Sequence, residues 1–293
     1  LELQEELNLS YLFISHDMAV IERVSHKVAV MYLGNMIEVA ESHELYGNGP
    51  NGVIVLHDFY GCKDTWSFAR NFFNVKDFTY AFTEVRGYGG SRSYAGEYTP
   101  IEVASDVLAL ADNLGWKRFH IVGHSMSGML AQRVVLDGQE RIISAVLNTP
   151  VAASGLSFSP EGFALIEESV HEDAALAEAF DALTGNRLCR EWVDFKIRQT
   201  RSNRLLNAQA TYFKNCTEMG FLEEVRGNVT PMLVIIGEHD MEPFTAATAQ
   251  KTFLNWYPNA QMEICQNAAH YPQQETPVYF ATVFNEFLKK QMD

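Results

Sequence analysis

The sequence predicts an α/β protein in which helices flank a mostly parallel central sheet and a helical cap is inserted between two strands. From about residue 50 onward, short apolar runs alternate with segments of helical periodicity, a pattern typical of a parallel sheet wrapped by helices. Between residues 151 and 228 the strand pattern stops, and the chain is helical and rich in large apolar side chains. With 293 residues, the chain has room for one large domain and a smaller inserted lobe.

Each predicted strand is a short apolar run bounded by turn residues. The first covers residues 53–56, and the second covers 78–85 and leads into the glycine-rich turn at 86–90. Runs of the same kind predict later strands at 118–122, 142–147, 232–236 and 261–265.

The clearest helix begins at a capping box, in which Thr99 and Glu102 flank a proline at the first helical position. Apolar residues then recur at helical spacing until Gly115 ends the element: Ile101, Ala104, Leu108, Ala111 and Leu114. Residues 278–290 predict a final amphipathic helix.

The helical stretch at 151–228 divides the predicted core into two parts, residues 49–150 and 229–293. The stretch contains seven large aromatic side chains: Phe158, Phe163, Phe180, Trp192, Phe195, Tyr212 and Phe213. These rings could be ordinary core packing or a lid that lines a substrate pocket. Because pockets form preferentially at junctions between lobes, we favour the lid.

A candidate nucleophile, Ser125, lies between a predicted strand and a predicted helix, in the run Ile-Val-Gly-His-Ser-Met-Ser-Gly at 121–128. A nucleophile on such a turn has strained backbone, so small residues must flank it two positions away on either side. Gly123 and Ser127 meet that requirement. The geometry exposes the Ser125 hydroxyl at the positive end of the following helix.

A serine hydroxyl needs a base that is itself oriented by a carboxylate. Asp240 follows the strand at 232–236, and His270 follows the last strand, so the chain order is nucleophile, acid, base, as expected for this kind of turn. Glu238 is an alternative acid. His124 and His239 are interpreted as local neighbours of the site and not as the base.

The run Leu-His-Asp-Phe-Tyr-Gly at 56–61 follows the first predicted strand. We expect the backbone N–H groups of Phe59 and Met126 to form the oxyanion hole that stabilises a tetrahedral intermediate. Four side chains are candidates for the substrate pocket: His57, Tyr60, His124 and Trp192.

Together these motifs resemble the α/β-hydrolase superfamily over residues 50–293, and in particular its small-esterase branch with a helical cap. The resemblance is carried by five segments, at 57–61, 86–89, 123–128, 237–240 and 269–272. It implies the α/β-hydrolase fold and the hydrolysis of carboxylic esters through an acyl-enzyme, without a metal ion or organic cofactor.

Three positions depart from the usual pattern of this family. Asp58 stands where the family's His-Gly pair has glycine, Ser127 replaces the commoner glycine, and Ala269 precedes the base where glycine is usual. The Asp58 carboxylate could repel the developing oxyanion, or its side chain could face outward. No departure removes a catalytic group.

Residues 1–48 carry a different pattern. The segments 11–17 and 28–34 resemble the late part of an ABC-transporter ATPase of the peptide-importer kind, in which the histidine at the position of His16 senses the γ-phosphate. The sequence lacks the G-x-x-x-x-G-K-[ST] loop that cradles phosphates, so ATP hydrolysis is not expected. The resemblance implies a gene fusion that left His16 as a relic.

Residues 27–41 predict a β-hairpin, with strands at 27–33 and 36–40 joined by Gly34-Asn35. The α/β-hydrolase fold normally opens with an antiparallel hairpin, which the hydrolase portion lacks before Val53. We therefore expect this hairpin to supply edge strands of the hydrolase sheet, with residues 1–26 packed on the sheet or used for self-association. The alternative is a partly disordered fusion scar.

Composition restricts the partners and the compartment. The formal net charge of −15 argues against nucleic-acid binding, because phosphates would be repelled. The sequence contains no apolar run long enough to span a membrane, and no signal peptide is visible at its start, so we expect neither a membrane span nor secretion. The four scattered cysteines, without a C-x-x-C pair, favour reduced thiols and a cytoplasmic protein. The oligomeric state stays open, a homodimer included.

The sequence as a whole predicts a serine carboxylesterase that acts on small-molecule esters with short or medium acyl chains. The same three residues could instead serve a C–C hydrolase, a lactonase or a perhydrolase. A protein of this fold could also bind a ligand with little turnover.

Overall fold

The computed structural model describes residues 28–32, 35–40 and 43–292. Nine strands lie in this part of the chain: β1 (Val28–Tyr32), β2 (Asn35–Ala40), β3 (His43–Gly47), β4 (Asn51–Leu56), β5 (Phe78–Thr83), β6 (Phe119–His124), β7 (Ile142–Asn148), β8 (Met232–Gly237) and β9 (Ala260–Cys265). Every strand predicted between residues 53 and 265 is present, with ends shifted by at most two residues.

The α-helices of the described residues are α1 (Pro100–Asn113), α2 (Met126–Gly138), α3 (Pro160–Ser169), α4 (Asp173–Leu183), α5 (Arg190–Asn203), α6 (Leu206–Glu218), α7 (Leu222–Val225), α8 (Ala246–Lys251), α9 (Phe253–Trp256), α10 (Pro272–Glu275) and α11 (Pro277–Lys289). As predicted, the Thr99 side chain caps α1 by accepting a hydrogen bond from the Glu102 backbone N–H. None of the helices described is long and apolar enough to cross a membrane.

Strands β3 to β9 form one sheet in the order β3-β5-β4-β6-β7-β8-β9. Strand β3 is antiparallel to β5, and all other neighbouring pairs are parallel. The predicted mostly parallel sheet flanked by helices is therefore confirmed.

The hypothesis that residues 27–41 supply the edge of this sheet is wrong. Strands β1 and β2 do pair as an antiparallel hairpin, but they form a separate two-stranded sheet. The edge is taken by β3, whose pairing with β5 runs from His43↔Thr83 to Gly47↔Thr79. Because β3 uses the hydrogen-bonding groups of the β5 edge, that edge has no place for the hairpin. Residues 1–26, including His16, lie outside the described residues.

The sheet separates two apolar cores. Side chains alternate between the faces of a strand, so Ile54 and Leu56 of β4 join a core on one face while Val53 and Val55 join a core on the other. The first core also contains buried side chains of α1, α2 and the helices between β7 and β8. The second is closed by α11. The predicted helical insertion thus shares a core with the sheet.

Strand pairing brings the candidate loops to one edge of the sheet. The pair Leu56↔Gly123 aligns the carboxyl ends of β4 and β6, and Gly237↔Cys265 aligns those of β8 and β9. Strand order reverses at β4, which lies between β5 and β6. In open α/β sheets, ligands bind outside the carboxyl ends of the strands at such a reversal.

The packing of α11 gives a stability prediction. The Phe284 ring is fully buried and stacks on Phe73 with ring centroids 4.6 Å apart. We expect Phe284→Ala to lower the free energy of unfolding by about 3–5 kcal/mol, through lost burial and the cavity left behind. Urea denaturation measures this change. Val278→Ala on the same helix is the matched control, because Val278 is 57% exposed and should change stability by less than about 0.5 kcal/mol. Equal losses in the two variants would contradict the packing.

Candidate active site

Ser125 lies in the turn between β6 and α2, with φ 54° and ψ −116°. A positive φ is strained for a residue with a Cβ, and surrounding hydrogen bonds hold it. The Ser125 N–H donates to the Asn148 carbonyl, and its own carbonyl accepts from the Val151 N–H at 2.9 Å. A Cβ on Gly123 would lie 2.0 Å from the Ser127 carbonyl oxygen. Glycine at position 123 is therefore required for the tight turn.

The structure brings Ser125, His270 and Asp240 together. His270 Nε2 is 2.8 Å from Ser125 Oγ, and His270 Nδ1 is 2.8 Å from Asp240 Oδ2. All three residues are buried. In the neutral imidazole that fits these contacts, Nδ1–H donates to Asp240 and Nε2 accepts the serine proton. Burial raises the pKa of Asp240, and its contact with His270 opposes that rise.

The loops that carry the acid and the base approach each other closely. A Cβ on Gly237, just before the Asp240 loop, would lie 2.0 Å from the carbonyl oxygen of Ala269, so only glycine fits there. The Glu275 carboxylate accepts the N–H groups of Ala269 and Tyr271 on either side of His270. These contacts fix the direction of the imidazole.

The predicted alternative acid, Glu238, is placed elsewhere. Its carboxylate accepts a hydrogen bond from the Asn267 N–H at 2.9 Å and lies 3.5 Å from His239 Nε2. The Glu238 and His239 side chains are both more than 40% exposed.

Residues 57–60, called here the oxyanion loop, have every carbonyl anchored by a side-chain donor. Ser127 Oγ donates to the carbonyl of His57, and His57 Nδ1 donates to that of Asp58. The carbonyl of Phe59 accepts from the Tyr88 hydroxyl and from Gln209 Nε2, and the carbonyl of Tyr60 accepts from Thr200 Oγ1. Fixing these carbonyls also fixes the peptide N–H groups between them.

The predicted oxyanion-hole residues, Phe59 and Met126, share one cavity with Ser125. Phe59 follows β4, Met126 follows Ser125, and all three residues line one cavity. Among the backbone hydrogen bonds that the described residues make outside helices and strands, neither N–H is a donor. An oxyanion hole requires two free N–H donors beside the nucleophile, and Phe59 and Met126 stay the candidates for that role.

The cavity beside Ser125 and His270 has a free volume of about 410 Å³, its mouth included. Its other lining residues are mostly apolar: Phe59, Tyr60, Met126, Val151, Leu156, Phe158, Ile166, Leu183, Phe213, Cys216 and Phe244. No charged side chain occurs in this lining. Helices α3, α4 and α6 contribute part of the wall, so the insertion does line the cavity. Of the aromatic rings expected there, Phe158 and Phe213 line it, and the other five lie outside its lining.

Of the four predicted pocket residues, Tyr60 lines the cavity and the other three do not. His57 is held by the Asp58 carbonyl and the Val85 N–H. His124 Nε2 donates to the His270 carbonyl at 2.8 Å. The prediction that these two histidines line the pocket is wrong. Neighbouring polar groups already form hydrogen bonds with both rings, so neither ring is left to face the cavity.

Trp192, the third of these residues, packs edge-on against Tyr271 with ring centroids 5.2 Å apart. Its indole N–H donates to Gln274 Oε1 at 3.0 Å. Its role is therefore to join α5 to the segment that follows the base.

Several residues of this region escaped the sequence analysis. Gln209, Thr200 and Lys196 come from the inserted helices, and all are buried. The buried positions 193, 196 and 200 of α5 repeat at helical spacing, and a lysine on such an inward face is the signal that could have revealed Lys196.

The residues described include no group of three or more His, Cys, Asp or Glu that could hold a metal ion.

A protein-family model, described as the alpha/beta hydrolase family, matches residues 53–283 of this chain.

The N-terminal segment matches a different class of protein. Among curated proteins, the oligopeptide transport ATP-binding protein AppF of Bacillus subtilis is 62% identical to this chain over 47 residues. The glutathione import ATP-binding protein GsiA of Escherichia coli K12 is 54% identical over 48 residues. These matches cover 16% of this chain but only 14% and 8% of the two relatives. The resemblance of the N-terminal segment to ABC-transporter ATP-binding proteins is thereby confirmed.

Solved structures share the fold over most of the chain. An esterase from Exiguobacterium antarcticum has a TM-score of 0.75 at 16% identity and covers 84% of this chain and 94% of its own. A thermophilic esterase from Thermogutta terrifontis has a TM-score of 0.74 at 21% identity, with coverages of 92% and 100%. Est816, described as an N-acyl homoserine lactone degrading enzyme, has a TM-score of 0.71 at 24% identity, with coverages of 90% and 99%. At these identities the likeness establishes the fold.

The cysteines give a chemical test of this packing. Cys62, Cys216 and Cys265 are buried, and burial raises the pKa of each thiol to about 12, whereas Cys189 is exposed. Because the thiolate is the reactive form, we expect Ellman's reagent at pH 8 to titrate one thiol in the native protein and four after denaturation. Cys189→Ser should remove the native reaction. A second fast thiol would show that one of the three buried cysteines is open to the reagent, which would contradict the packing.

Proposed function

Because this chain belongs to the alpha/beta hydrolase family, we propose that it is a serine hydrolase that cleaves carboxylic esters. The observation that carries the proposal is the hydrogen-bonded series Ser125–His270–Asp240 beside an apolar cavity. Phe59 and Met126, to which we assign the oxyanion hole, line the same cavity.

In the proposed reaction, Ser125 Oγ attacks the ester carbonyl as His270 Nε2 takes its proton. The Asp240 carboxylate holds the imidazole in the required tautomer and stabilises the imidazolium that forms. The 2.8 Å contacts on both ring nitrogens support this assignment of roles.

The tetrahedral intermediate carries a negative charge on the former carbonyl oxygen. We assign its stabilisation to the N–H groups of Phe59 and Met126, assisted by the positive end of α2. The anchored carbonyls of the oxyanion loop support this assignment, because they keep the Phe59 peptide from reorganising when the charge develops.

Collapse of this intermediate returns the His270 proton to the leaving alcohol and leaves an acyl group on Ser125. Water then attacks the acyl-enzyme, giving its proton to His270, and the acid is released with Ser125 restored.

The cavity supports an uncharged acyl group of short or medium length. Its lining offers apolar and aromatic contacts and no cation that could pair with a carboxylate. Burying an unpaired carboxylate in such surroundings is costly, so neutral acyl chains are the proposed substrates.

Replacement of the nucleophile tests the proposal. We expect Ser125→Ala to lower kcat for p-nitrophenyl butyrate by about a thousandfold or more, as removal of such a serine does in related mechanisms. A fluorophosphonate probe should label the wild type and not this variant.

Ser93→Ala is the matched control, because Ser93 is an exposed residue outside the cavity lining. It should retain wild-type turnover and labelling. Turnover that survives Ser125→Ala would refute the assignment of the nucleophile, and labelling without turnover of any ester would favour ligand binding over hydrolysis.

The acyl preference is tested with two esters that share one leaving group. We expect kcat/KM for p-nitrophenyl hydrogen succinate to be about a hundredfold below that for p-nitrophenyl butyrate at pH 7.5, because the succinyl carboxylate would enter an apolar cavity unpaired. Similar values for the two esters would contradict the placement of the acyl group in this cavity.

A further inference from the structure

Asp58 is a buried carboxylate next to the proposed oxyanion hole, and it accepts two side-chain hydrogen bonds. Thr65 Oγ1 donates to its Oδ1 and the Tyr271 hydroxyl donates to its Oδ2, each at 3.1 Å. Its side chain is 1% exposed and does not line the cavity. The carboxylate is therefore directed into the protein, neither outward nor toward the substrate.

Lys196 is a buried cation on the inserted helix α5, and its side chain is fully shielded from solvent. Its Nζ donates to Gln199 Oε1 at 2.8 Å and lies 4.8 Å from the centroid of the Tyr271 ring. The same Tyr271 binds Asp58 through its hydroxyl. Ammonium and carboxylate are thus linked through one aromatic side chain, and we call Asp58, Tyr271 and Lys196 the buried charge cluster.

The charges in this cluster stabilise each other. Burial opposes ionisation of Asp58, but the Lys196 ammonium, together with His124 and His57, holds the pKa of Asp58 well below its usual range. Burial lowers the pKa of Lys196, and the Asp58 carboxylate opposes that change. Removing one of two opposite buried charges leaves the other less well compensated.

The cluster joins three separate parts of the site. Asp58 directly precedes the proposed oxyanion donor Phe59, and Tyr271 directly follows the proposed base His270. Lys196 adds the inserted helix α5, and one turn further along Thr200 anchors the Tyr60 carbonyl.

We propose that Lys196 is a positioning residue for this hydrolase. Its ammonium group balances the Asp58 charge and, through Tyr271, holds the oxyanion loop against the loop that carries the base. This role rests on the proposed function. It accounts for an acidic residue where the family it resembles has glycine, because the acid is matched by a cation from the insertion.

The test is a rescue experiment, in which kcat and KM for p-nitrophenyl butyrate are compared in the wild type, Lys196→Met and the double variant. Lys196→Met leaves the Asp58 carboxylate without its buried cation, one residue before the proposed oxyanion donor Phe59, so we expect kcat to fall about tenfold or more. KM should stay within about twofold, because neither residue lines the cavity. Asp58→Asn added to Lys196→Met removes the charge and should restore kcat to within about threefold of the wild type.

Rescue by the second substitution separates a charge effect from lost packing. If Lys196→Met does not fold, the double variant Asp58→Asn/Lys196→Met decides the question. A double variant that is folded and active supports the proposal. A double variant that is unfolded, or no more active than Lys196→Met, overturns it. Wild-type kcat in a folded Lys196→Met also overturns it. Lys214→Met on α6 is the matched control, since this exposed lysine pairs with Glu218 and should leave kcat unchanged.

A readout independent of ester turnover separates this proposal from the proposed function. Melting temperatures of the same variants report the coupling of Asp58 and Lys196 directly: the single substitution should lower the melting temperature and the double should recover it. If esters are not hydrolysed but this recovery is seen, the proposed function fails while the buried pairing stands. A double variant that melts no higher than Lys196→Met would mean that the two charges are not coupled.

Discussion

The hydrogen bond between Ser125 Oγ and His270 Nε2 joins two loops that are 145 residues apart in the chain. Its length can be held only if the ends of β6 and β9 stay fixed, and the intervening strands β7 and β8 provide that spacing. The required close approaches occur where glycine is present, at Gly123 under the serine turn and at Gly237 under the base loop. A side chain at either position would separate atoms that must touch.

The inserted helices have two functions in this arrangement. They supply part of the cavity wall, and they also supply donors to the backbone of the oxyanion loop, through Gln209 and Thr200. The shape of the acyl site and the rigidity of the proposed oxyanion hole therefore depend on the same helices. Changes in the insertion are expected to alter specificity and turnover together, because one element contributes to both.

The sheet and the three residues Ser125, Asp240 and His270 could be predicted because they depend on local signals: buried apolar runs, small residues around a strained turn, and loops after late strands. The strand β3 gave no such signal, because it is a half-exposed edge strand with one large apolar residue exposed. The positions of Lys196 and Gln209 depend on how the insertion folds onto the sheet. Sequence spacing does not encode that contact. His57 and His124 show the opposite error, since their residue type indicated chemistry while their hydrogen bonds are structural.

The absence of charge from the cavity lining affects the end of the proposed reaction. Hydrolysis turns a neutral ester into a carboxylic acid that is ionised near neutral pH. An anion in apolar surroundings without a paired cation is poorly solvated, so the acid product would be less stable in the cavity than the substrate it came from. The same lining that admits the neutral acyl chain would then promote release of the acid product. Accumulated acid should therefore inhibit turnover only weakly.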